Sequence, residues 1–272
     1  MGNATEKLEI IMGKEGLKKL SASTVLVLGC GGVGSNCVEA LARGGVGKII
    51  VADHDVVSES NINRQAIAFH STIGRPKVEV MEQMIHDINP GIEVVALKQF
   101  VLKENLSEFL DTYATQADYV VDAIDTISAK LALAEQAQVR KDMKLISSMG
   151  GANKLRPECF RFSDLKDTVN CPMCRIMRKE ARKRGIEHLR VLYSCERPVS
   201  TTAKEGATRR ERTDLGTASF IPPIMGQMIA GEVIKELAGI NDVLRTEGHF
   251  SPEDSAGASA DFAGSASAGS PA

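Results

Sequence analysis

The apolar run TVLVLG, residues 24 to 29, passes directly into the cluster GCGGVG and from there into a helix-forming stretch. This strand, glycine turn and helix restrict the fold more than any other feature of the chain. Glycine lets a backbone leave a strand, turn tightly and enter a helix with its amides unobstructed. The helix start then presents free N–H groups and the positive end of its dipole to an anion, phosphate above all. Gly29, Gly31, Gly32 and Gly34 are therefore the expected contacts to a nucleotide. The next apolar run, KIIVAD, ends in Asp53, at the place where a carboxylate accepts from ribose hydroxyls.

Further apolar runs recur at 92 to 97 (IEVVAL), 117 to 124 (ADYVVDAI) and 144 to 149 (KLISSM). Apolar on both faces, they read as buried parallel strands. Between them Val78, Met81, Met84, Ile85 and Ile88 recur at helical spacing after Pro76, and SAKLALAEQAQVRK is a second helix former. The alternation predicts an α/β fold, a Rossmann-like, doubly wound, mostly parallel sheet. Beyond about residue 155 the pattern changes. LRPECFRFSDL and LRVLYSC read as strands on either side of a basic helix, CRIMRKEARKRG. GTASFIPPIMGQMIAGEVIKELAG reads as a short strand and then an apolar helix with two prolines at its entrance. The sheet is thus expected to be extended by antiparallel strands and C-terminal helices. A helix this apolar belongs to a core or a subunit interface.

These patterns divide the chain into one domain over residues 1–250 and a tail. Residues 1–150 form the nucleotide-binding half, and 151–250 a substrate-contacting half with a mobile polar loop at 200–215. The Ser/Ala/Gly-rich tail, 251–272, cannot bury enough to fold and is expected to be disordered. A net charge of −2 leaves any basic binding site to local clustering. No stretch resembles a signal peptide or a membrane span, so a cytoplasmic location and reduced thiols are expected for the six cysteines. Cys171 and Cys174 form the one close pair. A structural zinc site would have to recruit Cys159 and Cys195, and plain thiols are the simpler reading.

The segment ESNINRQ, residues 59 to 65, carries unusual polarity for a loop. Arg64 offers a planar fork to phosphate oxygens, while Asn61 and Gln65 add neutral donors. Lys77, after GRP at a helix start, is read as a mobile point charge beside an anion site. Such clustering suits a polyphosphate whose charge shifts during reaction, whereas a nicotinamide enzyme needs little charge there. Asp125, in DAIDT, falls where strand ends converge on ligand. One carboxylate with phosphate oxygens holds Mg²⁺, and helix capping by Asp125 is the competing reading.

Taken in order, GCGGVGS, DHDVVSESNINRQ, GRPK and DAIDT resemble the ThiF/MoeB-like, ubiquitin-activating-enzyme-like adenylating superfamily. The resemblance implies that Asp53 meets ribose, that Asn61, Gln65 and the catalytic pair Arg64 and Lys77 meet the phosphates of ATP, and that Asp125 serves catalysis through Mg²⁺. SSMGGANKLRPECFRFSDLKDTVNCPMCRIMRKEARKRGI and GTASFIPPIMGQMIAGEVI narrow it to the tRNA threonylcarbamoyladenosine dehydratase branch. That branch adenylates the carboxylate of threonylcarbamoyladenosine in tRNA and closes a ring with loss of AMP. The alternative is activation of the C-terminus of a ubiquitin-like sulfur carrier, but those enzymes commonly carry two CxxC pairs. The resemblance also implies a homodimer and, in some relatives, sulfur-relay partners. Where relatives bring an arginine near the N-terminus across the dimer, this chain has Lys7 and Lys14, and Arg156 stands where an acid is frequent. Residues 175 to 190 hold seven basic residues against Glu180 and Glu187. With the family resemblance, this points Arg175, Arg178, Lys179, Arg182 and Lys183 at tRNA phosphates.

Overall fold

Seven strands build one sheet: β1 (Thr24–Leu28), β2 (Lys48–Ala52), β3 (Glu93–Leu97), β4 (Tyr119–Asp122), β5 (Leu145–Ser148), β6 (Phe160–Asp164) and β7 (Arg190–Ser194). They come from a computed structural model in which residues 5–200 and 215–240 are described. The loop expected at 200–215 lies almost wholly, and the tail at 251–272 wholly, outside the described residues. The strand order is β3-β2-β1-β4-β5-β7-β6. Every neighbouring pair is parallel except the last, where β6 runs antiparallel to β7 and closes the edge. The doubly wound architecture is therefore as expected, and its extension consists of one more parallel strand and one antiparallel strand. Because β5 pairs with β7, a single sheet runs through both halves of the chain.

Helices α1 (Glu6–Ser21), α2 (Gly32–Gly44), α3 (Lys77–Ile88), α4 (Leu106–Tyr113), α5 (Ile127–Val139), α6 (Pro172–Lys183) and α7 (Ile221–Ala238) flank the sheet. The apolar positions of α3 read from the sequence include the buried Val78, Met81 and Ile85. Neither α1 nor α4 stands out in the sequence. The first is weakly amphipathic and is interrupted at Gly13, whose φ of 71° breaks the helical run.

The apolar helix α7 resolves as core. Ile221, Met225, Ile229 and Val233 are fully buried, each worth about 2 kcal/mol in removed apolar surface. It lies along α2, and Gly226 makes the closest approach, since a Cβ there would collide with the carbonyl oxygen of Val33. The short strand expected before α7 does not form. Gly216 instead bonds to the backbone and side chain of Asn153: Asn153 N–H donates to Gly216 O at 2.8 Å, and Gly216 N–H donates to Asn153 Oδ1 at 2.8 Å. That commits the segment to the loop after β5 rather than to a sheet edge.

Candidate functional site

The strand order reverses between β1 and β4, and their carboxyl ends part to open a cleft of about 910 Å³. The glycine turn forms one wall. Gly29 has φ of 93°, and a Cβ there would come within 2.7 Å of the Ala123 carbonyl oxygen. Gly31 and Gly32 line the cleft at the start of α2. Gly34 does not: it packs beneath the turn, where a Cβ would overlap the Gly29 carbonyl. Its contribution is to the shape of the turn.

Asp53 ties this turn to the end of β2. Its Oδ2 accepts from the Cys30 amide at 2.6 Å and its Oδ1 from the Asp55 amide at 2.8 Å. Lone pairs remain for ribose hydroxyls on a carboxylate that is already fixed. The polar loop is held over α2 by side chains of that helix. Ser35 Oγ accepts from the Ala66 amide at 3.0 Å, and Asn36 Nδ2 donates to the Arg64 carbonyl at 3.1 Å. Arg64 thus faces the helix start. Its Nη1 donates to Ser60 O at 3.0 Å and to Asn63 Oδ1 at 2.8 Å. Asn61 is buried, and its Oδ1 accepts from the Ser58 amide at 3.1 Å. Gln65 is buried as well, and its Oε1 has no partner among the described residues, so the cleft holds an acceptor ready for a ligand donor.

Lys77 lines the cleft but is not mobile. It is 5% exposed, its Nζ lies 2.7 Å from Asp55 Oδ2, and its amide donates to the Asp55 carbonyl at 3.0 Å. The first turn of α3 buries the lysine stem, which is why a residue read as a surface charge turns inward. Asp125 is exposed on the opposite wall, with Oδ1 accepting from Thr126 Oγ1 at 3.2 Å. Its second oxygen is open to a cation that phosphate oxygens would share, the donor set Mg²⁺ prefers. Among the described residues, Asp53, His54 and Asp55 are the one trio close enough to share a cation. Asp55 is already matched to Lys77, and Asp53 accepts from two amides.

Several residues of the site do not announce themselves in the sequence. Lys130 and Asp122 are each 1% exposed and pair at 3.0 Å, with Ser147 Oγ donating to the same carboxylate at 2.5 Å. The pairing needs Asp122 at a strand end and Lys130 one turn into α5, a spacing readable only once the turn is known. Asp55 stood in view in DHD, two residues after the carboxylate that was read. His54 packs on Phe100 with ring centroids 3.6 Å apart, and both line the cleft. The far wall comes from the second half of the chain, through Asn153, Lys154 and the N-terminus of α6.

Helix α6 buries Cys174, Met177 and Ala181 and leaves Arg175, Lys179, Arg182 and Lys183 exposed. Lys183 pairs with Glu180 at 2.8 Å, whereas Arg175, Lys179 and Arg182 meet no carboxylate among the described residues. Arg178 differs from the others. It is half-buried, and its Nη1 donates to the Thr168 carbonyl at 2.7 Å and to the Thr168 hydroxyl. At the head of the helix Cys171 accepts from the Cys174 amide at 3.5 Å. The Cys174 thiol, backbone N–H groups and, more weakly, Lys154 hold the Cys171 thiol down at about 6 against the effect of burial. Cys159 and Cys195 face one another across β6 and β7, the Cys195 amide donating to Cys159 O at 3.0 Å.

A mostly parallel sheet with a glycine-lined crevice, a buried lysine and an exposed carboxylate at its switch point has the form of a nucleotide-binding α/β protein. The chain belongs to the ThiF family, whose model matches residues 4–256. It is 42% identical over 238 residues to the tRNA threonylcarbamoyladenosine dehydratase of Bacillus subtilis (strain 168), covering 84% of this chain and 92% of that protein. The E. coli tRNA N6-threonylcarbamoyladenosine dehydratase solved in complex with ATP superposes with a TM-score of 0.76 at 26% identity, over 89% of this chain and 95% of that one. The sulfur carrier protein ThiS adenylyltransferase of Escherichia coli (strain K12) matches 43% of this chain, at 36% identity over 116 residues.

Proposed function

We propose that this protein is an ATP-dependent tRNA threonylcarbamoyladenosine dehydratase. It adenylates the threonyl carboxylate of the modified base, and an internal nucleophile then closes the ring as AMP leaves. The observation that carries this reading is the convergence of the glycine turn, Arg64, Lys77 and Asp125 on one cleft. The relatives that match most of its length bear that same name.

A carboxylate resists attack because oxide is a very poor leaving group, and transfer to AMP removes that obstacle. The α2 amides at Gly31 and Gly32 receive the phosphates, and Asp53 holds the ribose. Arg64 and Lys77 meet the charge that builds on the α-phosphate. One such contact in a water-poor site is worth about 3 kcal/mol of transition-state stabilisation. Asp55 holds the Lys77 ammonium in place beforehand, so little reorganisation is needed when the phosphate arrives. Asp125 would hold Mg²⁺ together with phosphate oxygens, and the ion's contribution is to neutralise their charge. Ring closure within one nucleoside is favoured by effective concentration and needs no thioester on the protein.

On this reading the exposed cations of α6, Arg175, Lys179 and Arg182, with Lys183 beside them, meet tRNA phosphates in a sequence-independent manner. Arg178 serves instead to tie α6 to Thr168. No helix among the described residues is long and apolar enough to cross a membrane. A homodimer acting on tRNA in the cytoplasm, with one adenylating domain reaching to about residue 250, completes the proposal. Incubation with ATP, Mg²⁺ and tRNA bearing threonylcarbamoyladenosine is expected to release AMP and leave a nucleoside lighter by one water. An unchanged nucleoside mass rejects the reading. Exchange of pyrophosphate that depends on an added sulfur carrier, with tRNA inert, would replace it by carrier activation.

A further inference from the structure

Among the described residues three lysines are buried, and all three line the cleft: Lys77, Lys130 and Lys154. Lys77 has Asp55 at 2.7 Å, and Lys130 has Asp122 at 3.0 Å. Lys154, 2% exposed, has neither. Among the described residues its ammonium donates to the backbone carbonyl of Glu196 and meets no carboxylate. The Glu196 carboxylate is occupied elsewhere, accepting from the amides of Leu155 and Arg156, each at 3.1 Å through Oε2. A buried ammonium matched by no carboxylate, with only the nearby Cys171 thiol weakly answering its charge, is costly, and proteins keep one where a ligand supplies the missing charge.

The surroundings reinforce this. Asn153, just before the lysine, holds a left-handed φ of 56°, a conformation side chains other than glycine seldom adopt. It is secured by bonds to Gly216 on both sides and by the Val199 amide, which donates to its carbonyl at 2.8 Å. The lysine backbone is thereby fixed. The N-terminus of α6 ends in the same corner through Cys171, Pro172 and Met173, and adds the positive end of its dipole. The Cys171 thiol in this corner is depressed chiefly by the Cys174 thiol, and only slightly by the positive charge around it. Its main hydrogen bonds go to Cys174 and the backbone, and Lys154 is the smallest contributor.

We propose that Lys154, backed by the start of α6, is the binding group for the carboxylate of the acyl substrate, on the cleft wall that the second half of the chain supplies. The inference rests on the dehydratase reading and adds the residue that selects an anionic acyl group. Adenylation consumes that negative charge, so Lys154 recognises the substrate before reaction more than it stabilises the product.

The test compares binding of the free nucleoside N6-threonylcarbamoyladenosine with that of its methyl ester, by titration calorimetry on the full chain holding a non-hydrolysable ATP analogue. Wild type is expected to prefer the acid by on the order of a hundredfold. Lys154→Met, similar in length but uncharged, is expected to bind acid and ester alike, with unchanged ATP affinity and thermal midpoint. Lys154→Arg is expected to keep part of the preference. Equal binding of acid and ester by wild type overturns the assignment, as does full preference in Lys154→Met or its complete loss in a folded Lys154→Arg. Weakened ATP binding in folded Lys154→Met also overturns it and gives the ammonium to a nucleotide phosphate instead. Failure of wild type to turn over the tRNA while binding ATP removes the dehydratase reading, and this inference with it.

Discussion

Lys77 and Lys130, inside the cleft, meet carboxylates at 2.7 and 3.0 Å, while Arg175, Lys179 and Arg182, along α6, stand in solvent and meet none among the described residues. The same kinds of charge are therefore put to different uses. A buried, matched cation acts over one contact, keeps its place and is little screened by salt. Exposed cations act together over roughly 10 Å at 0.1 M salt and weaken as ions are added. The first suits a reacting group whose charge changes in place. The second suits a polyanion approaching over a broad surface. Burial, more than residue type, separates the two.

The sharpest way to break the contrast is Asp122→Ala, which strands the Lys130 ammonium in the interior. Urea unfolding is expected to show a loss of about 3–5 kcal/mol, against about 0.5 kcal/mol or less for Arg182→Ala on the surface. Equal losses would erase the distinction. Next, Lys77→Ala is expected to slow adenylation by on the order of a hundredfold or more, read as pyrophosphate exchange. A rate near wild type removes Lys77 from the reaction. Reversing Arg175 and Arg182 to Glu together is expected to weaken tRNA binding by roughly tenfold at 0.1 M salt and to flatten the log–log salt slope by about two. Arg178→Glu adds a test of its own. Because its guanidinium is bound to Thr168, stability should fall as well as affinity; a purely electrostatic change would return it to the tRNA-facing group.

The smallest effect concerns Cys171, whose thiol sits near 6, chiefly through the Cys174 thiol, below the ordinary 9.0. Its folded value is depressed, so the thiolate contributes stability that is complete above about pH 9 and fades as pH falls through about 6. Ultraviolet thiolate absorbance should rise near pH 6 in wild type and not in Cys171→Ser. An unchanged rise in the variant would assign the thiolate to another cysteine.

The front half of the site was legible because its signals are local. A strand, a glycine turn and a helix occupy the 21 residues from Thr24 to Gly44, Asp53 and Asp125 follow strands, Lys77 opens a helix, and Arg64 sits in the conspicuously polar loop ESNINRQ. What stayed hidden depends on distance in the chain. Lys130 finds Asp122 only after the β4–α5 turn is built, and Lys154 loses its carboxylate only because Glu196 folds back onto Leu155 and Arg156. Arg178 likewise differs from its neighbours on α6 only through Thr168, ten residues earlier. Composition distinguishes none of these. The apolar α7 was recognisable as buried, but whether by its own chain or by a second copy was open until its packing against α2 was seen.

That packing ties the glycine turn to the last helix of the described residues. Since Gly226 rests on the carbonyl of Val33, one residue past the glycines that line the cleft, the last helix of the described residues acts as a backstop for the glycine turn. A bulky side chain at position 226 would press on the nucleotide pocket from behind, so damage to the C-terminal helix should register first as weaker grip on ATP.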